Sequence, residues 1–260
     1  MEKIHRINLT DNVIMFFSEL TSMFSNGEDG RLLIEKKTST CTLEELIGPL
    51  NDVEKKYAPK QLYVAGQLPI PLPSPRVAVI GSRKASSKGL TAASNIAKVL
   101  AKHNVIVVSG LAEGIDSAAH KSAIEANGHT IAVLGTPLDR VYPRKNAQLQ
   151  EFIMRKHLAV SQFPIGYPIQ PKNFVIRNRT MALIADASII VEAGNSSGSL
   201  HQGWEALRLG RPLFIWSPLM RDCSLNWTQK MAMYGAMEFT DPEDVLDDLP
   251  SRQIILEVIQ

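Results

Sequence analysis

Five apolar, β-branched runs recur along the middle of this chain, most of them closed by glycine. They are RVAVIG (Arg76–Gly81), VIVVSG (Val105–Gly110), TIAVLG (Thr130–Gly135), ASIIVEA (Ala187–Ala193) and PLFIW (Pro212–Trp216). Strands this continuously apolar are what a parallel sheet needs when helices cover both of its faces. The intervals carry helical patterns at Leu90–Lys102, Ile115–Ala126, Ala147–Lys156, Arg179–Ile184 and Leu200–Leu209. The alternation predicts an α/β fold: a Rossmann-like, doubly wound, mostly parallel sheet with right-handed crossovers.

The first sixty residues follow another pattern and predict a small N-terminal α(+β) extension. Asp11–Phe24 reads as an amphipathic helix and Leu32–Glu35 as a short strand. Thr42 followed by Glu45 is a capping-box pair opening a helix toward Lys56. Four prolines within Leu68–Pro75 rule out a central strand or helix and predict an extended connector. The expected division is 1–57 for the extension, 58–249 for the Rossmann-like domain and 250–260 for a tail. Asp241–Leu249 reads as a short final helix with acids at its N-terminus, as the helix dipole favours.

Composition narrows the function class. No apolar run approaches the ~20 residues of a membrane helix, and the opening MEKIHRINLTDN lacks a signal peptide's apolar core. Cys41 and Cys223 are the only cysteines, which argues against a disulfide framework and against cysteine-bound metal. The expectation is a cytoplasmic protein without membrane contact, metal or cofactor. Net charge is +2, but from Asp139 to Arg179 eight cations (Arg140, Arg144, Lys145, Arg155, Lys156, Lys172, Arg177, Arg179) face two acids, Asp139 and Glu151. Such a stretch forms either an anion-binding surface or a solvated helix face.

In open parallel sheets ligands bind beyond the carboxyl ends of the strands, so the turns there carry the candidate chemistry. The turn Gly81–Lys84 (GSRK) combines a sharp bend, the Ser82 hydroxyl and the Arg83 fork suited to phosphate. It is not GxGxxG, and the second strand ends in Ser109–Gly110 rather than in an acid, which disfavours a dinucleotide. The segment Ser109–His120 has Gly110 and Gly114 four apart, able to present N–H groups to an anion or base. In it Asp116 and His120 stand at i,i+4; bracing of the loop by Asp116 and a packed His120 is preferred over an acid–base couple. Lys172–Arg179 gathers Lys172, Arg177 and Arg179 with Asn178 and Phe174, and Glu192–Leu200 adds a donor-rich loop with Ser197, Gly198 and Ser199. The two together read as a phosphate-binding pocket with a basic wall.

The strings VAVIGSRK, SGLAEGIDSAAH, TIAVLGTPLDRVYPRKN, FPIGYPIQPKNFVIRNR and VEAGNSSGSL, in this order and spacing, resemble the DprA/Smf DNA-processing family over about Ala58 to Leu246. That resemblance implies a protein that binds single-stranded DNA, protects incoming DNA in transformation, helps to load the RecA recombinase and works as a homodimer, by binding rather than catalysis. Carried over by motif, Gly81, Ser82, Arg83 and Lys84 line the DNA site, and Ser109, Gly110, Gly114 and Asp116 shape its floor. Lys172, Arg177, Asn178, Arg179, Ser197, Gly198 and Ser199 contact phosphates. The chain departs from the family at His201–Gln202–Gly203–Trp204, where Ile-Thr-Ala usually follows, and at Trp216–Ser217–Pro218, where VPG is usual. It also lacks the frequent N-terminal helix-hairpin-helix pattern and C-terminal winged helix. Two other readings stay open. A sensor of a nucleotide-derived ligand would use the same pocket. A nucleoside-monophosphate phosphoribohydrolase would need a carboxylate where Gln202 stands, with Glu205 as the nearest substitute. Trp204 reads as a stacking platform or, as a residue on a helix, as core, and core is preferred.

Overall fold

A computed structural model describes residues 38–249; the expected Asp11–Phe24 helix, Leu32–Glu35 strand and 250–260 tail lie outside them. The described chain opens with β1 (Ser39–Cys41), α1 (Leu43–Ile47), α2 (Asp52–Tyr57) and β2 (Leu62–Gly66). The alternating part follows: β3 (Arg76–Gly81), α3 (Ser87–Lys102), β4 (Ile106–Ser109), α4 (Ile115–Glu125), β5 (Thr130–Leu134) and α5 (Ala147–Lys156). It continues through β6 (Leu158–Ser161), α6 (Pro171–Ile184), β7 (Ala187–Glu192), α7 (Ser199–Arg208) and β8 (Leu213–Trp216). Two short helices, α8 (Ser217–Met220) and α9 (Thr228–Met233), then β9 (Met237–Phe239) and a 3-10 helix over Pro242–Asp248 complete it.

All nine strands form one sheet in the order β1-β2-β6-β5-β4-β3-β7-β8-β9. From β6 to β9 every neighbouring pair is parallel, whereas β1 on β2 and β2 on β6 are antiparallel. The fold is therefore the expected Rossmann-like α/β architecture. Alternate residues of each central strand face opposite layers: Ala78, Ile80, Val108 and Val133 pack toward α6 and α7. Val77, Val79, Val107 and Ile189 pack toward α3 and α4. The chain winds outward from β3 through β4, β5 and β6, then crosses to β7 on the other side of β3. That reversal places the switch point between β3 and β7. At the opposite end of β3, Asp186 accepts the Arg76 N–H at 2.8 Å and holds its guanidinium at 2.6 Å.

One local expectation needs correction. The Thr42–Glu45 capping box is present, but its helix stops at Ile47, where Gly48 takes φ +93°. A second box, Asn51–Glu54, starts α2, so one expected helix is two. Leu43 and Leu46, which precede the expected 57/58 division, share one core with Leu62 and Val64, which follow it. The strands β1, β2, β6 and β9 lie outside the five apolar runs read from the sequence.

Candidate functional site

The rim at the carboxyl ends of the central strands is built from backbone outward. The Ser82 N–H donates to Glu192 O at 2.7 Å, and the Ile115 N–H donates to Ser82 O at 3.2 Å, which ties the β3 turn to β7 and to the start of α4. Gly114 packs so tightly on this turn that a Cβ there would meet the Arg83 carbonyl at 2.7 Å, at φ +75°. Only glycine holds that conformation without strain. Arg83 and Lys84 stand exposed on the turn, and the Ser82 hydroxyl accepts the Lys84 N–H at 3.2 Å.

The switch-point crevice itself is filled by the protein's own anion. Glu192 accepts the Ser86 N–H at 3.0 Å and its hydroxyl at 2.5 Å, while the Ser86 hydroxyl accepts the Gly89 N–H at 3.0 Å. A carboxylate bonded to the N-cap residue of α3 complements the helix dipole that would otherwise attract a phosphate. Sequence reasoning did not assign Glu192 this part, because its partner lies 106 residues away.

Helical geometry parts Arg177 from the other two cations expected with it on Lys172–Arg179. Five residues span ~140° of an α-helix and two span ~200°, so Arg177 faces away from both Lys172 and Arg179. Lys172 is exposed near the first turn of α6. Arg177 is 5% exposed and turns inward across Gly110, where a Cβ would collide with its guanidinium. Its Nη1 donates to Val133 O at 3.2 Å and stands 4.0 Å from Asp116 Oδ2. Burial pushes the Asp116 carboxyl up from its ordinary range, against the pull of Arg177, and pushes the Arg177 guanidinium down. Arg179 reaches a different place. It holds Glu205 at 3.2 Å and lies 5.5 Å from the Tyr57 ring centroid, which Arg208 covers at 3.7 Å.

Other expected residues act as braces. Ser109 is buried and its hydroxyl donates to Val79 O at 2.7 Å. Asp116 accepts the Ala112 N–H at 3.3 Å, the loop-bracing role expected of it. The Thr130 hydroxyl donates to Val107 O at 2.8 Å, so the 2.6 Å contact with His120 makes the ring Nδ1 the donor. Asn178 donates to Gly198 O at 3.0 Å, and the Ser197 and Ser199 hydroxyls pair at 2.7 Å, with Gly198 exposed between them. Gln202 is fully buried and donates to the Ser188 hydroxyl at 2.9 Å. Trp204, expected in the core, is 36% exposed and meets Tyr234 edge-on at 5.5 Å.

The basic stretch from Asp139 to Arg179 is likewise no single surface, because Arg155 pairs with Glu151 along α5 and Lys145 pairs with Glu113 at 2.5 Å. Among the described residues Arg83, Lys84, Arg144 and Lys172 are in no ion pair. Arg83 lies over the Phe174 ring at 5.4 Å. No cluster of metal-binding side chains occurs among the described residues, and no described helix is long and apolar enough to cross a membrane.

A family model described as DNA recombination-mediator protein A matches residues 44–250. The chain is 37% identical over 189 residues to DNA processing protein DprA of Streptococcus pneumoniae, covering 73% of this chain and 66% of that protein. To protein Smf of Escherichia coli it is 34% identical over 224 residues, 82% of this chain and 60% of that one. It thus spans about two thirds or less of these curated relatives. Among solved structures, S. pneumoniae DprA superposes with TM-score 0.69 at 31% identity, over 83% of this chain and 75% of the other. DNA processing protein A of Helicobacter pylori, whose structure concerns a unique single-stranded DNA binding mode, gives 0.66 at 26% identity, over 82% and 98%.

Proposed function

Because this chain belongs to the DNA recombination-mediator protein A family, the DprA/Smf DNA-processing proteins, we propose that it binds single-stranded DNA along the rim of its sheet. One observation carries the reading: Tyr142 and Phe174 stack at the rim with the exposed Arg83 over the Phe174 ring, and the exposed cations Arg83, Lys84, Arg144 and Lys172 are in no ion pair among the described residues. Phosphate contacts from such cations supply sequence-tolerant, salt-sensitive affinity, and aromatic rings add stacking that accepts any base. Gly81, Ser82 and the 197–199 loop offer further donors, while Ser109, Gly110, Gly114, Asp116 and Arg177 hold the floor and Asn178 its flank. Arg179, held by Glu205, belongs outside the contact surface in this reading. Protection of incoming DNA, delivery to RecA, a homodimeric working form and a cytoplasmic location complete the proposal.

The phosphoribohydrolase reading is disfavoured by specific contacts. Gln202 is buried against Ser188, and Glu205 is engaged by Arg179 and Arg208. Neither is placed to stabilise a developing cation or to move a proton. The nucleotide-sensor reading loses its usual phosphate seat, the N-terminus of α3, to Glu192.

Fluorescence anisotropy with labelled single-stranded and duplex oligonucleotides across a potassium chloride series tests the proposal. Tighter, length-dependent binding to single strands that weakens steeply with salt is expected. Saturation by a mononucleotide with no affinity for oligomers would replace it with the sensor reading, and release of adenine from AMP with the enzymatic one.

A further inference from the structure

The loop between β5 and α5 projects one large aromatic side chain that the sequence motifs left without a part. Tyr142 is 46% exposed, and its ring centroid lies 5.1 Å from that of Phe174 with the planes at 48°. Phe174 is seated on Gly135, where a Cβ would come within 2.9 Å of its Cε1, and Arg83 lies over the same ring. Tyr142, Phe174 and Arg83 thus make a graded assembly at the rim: an open ring, a half-buried ring and an unpaired cation.

The loop that carries Tyr142 is fixed by its own polar side chains. Thr136 donates to Arg140 O at 3.1 Å, and Gln150 donates to the same oxygen at 3.0 Å and to Leu138 O at 3.3 Å. Ser161 donates to Thr136 O at 2.7 Å. Asn146 donates to Leu111 O at 2.8 Å and to the Ser117 hydroxyl at 2.9 Å, tying this loop to the one after β4. An aromatic ring held on so fully bonded a loop stacks on a partner with little ordering cost. Arg83 across Phe174, with the exposed Arg144 two residues along the chain from Tyr142, gives the partner's charge. An open π-face beside a ring that carries an unpaired guanidinium matches one chemistry: a nucleobase on a phosphate backbone.

We infer that Tyr142 is the stacking surface for an unpaired nucleobase of the bound strand, while Arg83 takes a neighbouring phosphate. The inference rests on the single-strand reading above and adds to it the residue that separates an unpaired base from a bare polyanion.

The test compares a base-bearing single-stranded oligonucleotide with an abasic oligomer of equal length. Wild type, Tyr142→Phe, Tyr142→Ala and Tyr142→Leu are titrated at fixed salt, with 2-aminopurine fluorescence as a second readout. Leucine keeps apolar packing on Phe174 without a ring and so guards against a folding defect in the alanine variant. Both ring-less variants are expected to lose about tenfold in affinity for the base-bearing strand. They should bind the abasic oligomer as wild type does, and Tyr142→Phe should stay within about twofold throughout. Quenching of 2-aminopurine by wild type should fall in both ring-less variants. If wild type binds the strand and the ring-less variants match it, or lose equally on the abasic oligomer, the inference is overturned and the function stands. If wild type binds neither oligomer, the function itself fails and this inference with it.

Discussion

Glu192, at the end of β7, closes the N-terminus of α3 by accepting the Ser86 N–H at 3.0 Å and the Ser86 hydroxyl at 2.5 Å. The crevice between β3 and β7 is where a doubly wound sheet ordinarily seats a ligand. Here a carboxylate supplied by the fold stands at it, beside the turn after β3 that carries the exposed Arg83 and Lys84.

Removing that carboxylate should cost stability. Glu192→Ala strips the Ser86 N–H of its acceptor and leaves the N-terminus of α3 with its positive end exposed. A loss of about 1–2 kcal/mol is expected in urea unfolding. Glu192→Gln, which keeps an acceptor oxygen, should lose less; equal stability of both variants and wild type would show that the contact contributes nothing.

The interior pair behaves asymmetrically. Arg177 and Asp116 are both buried, with 4.0 Å between Nη1 and Oδ2. Arg177→Met alone leaves a buried carboxylate without its cation and should destabilise by about 3–5 kcal/mol. Adding Asp116→Asn should recover part of that loss, because it removes the stranded charge. A double-mutant cycle from urea midpoints measures the coupling, and strict additivity of the two changes would refute it.

Arg83 and Arg179 should differ in their effect on DNA binding. Arg83→Ala is expected to weaken binding equally across oligonucleotide sequences and to reduce the slope of log K against log salt by about 0.7, one single-strand phosphate. Arg179→Ala should leave that slope unchanged, since Glu205 already holds the guanidinium at 3.2 Å. Anisotropy titrations at four salt concentrations would read both; a shallower slope for Arg179→Ala would return that residue to the contact surface.

Two buried histidines make the fold acid-sensitive. Burial pushes His120 down to about 3 and His157 down to about 4, the latter with a further push from His129. The unfolded chain takes up these protons near pH 6.5, whereas the folded chain does not until well below it. Their contribution is therefore complete above about pH 6.5 and lost progressively as pH falls toward 4, by up to about 1.4 kcal/mol per unit for each histidine. Urea midpoints between pH 7 and 4.5 should fall accordingly, and His157→Gln should flatten the decline.

Much of this molecule was legible in the sequence because its signals are local. The run Arg76–Gly81 matches β3 at both ends, and Ala147–Lys156 matches α5 at both ends, since hydrophobic period and flanking breakers act over a few residues. The glycine turns after β3 and β4 were also legible as rim structure, for only particular backbones need glycine there. Side-chain destinations were not. Within eight residues Lys172 is exposed, Arg177 faces Asp116 inside and Arg179 turns to Glu205; the face of α6 that the sheet covers fixes the first two, and a contact with α7 fixes the third. Glu192 and Ser86 stand 106 positions apart, and Arg76 and Asp186 stand 110 apart. The sequence by itself determined the alternation of strands and helices and the family of the fold. Only the tertiary structure decided strand order, the filled crevice, the inward arginine and the exposed Tyr142, because these depend on contacts between segments that no local pattern brings together.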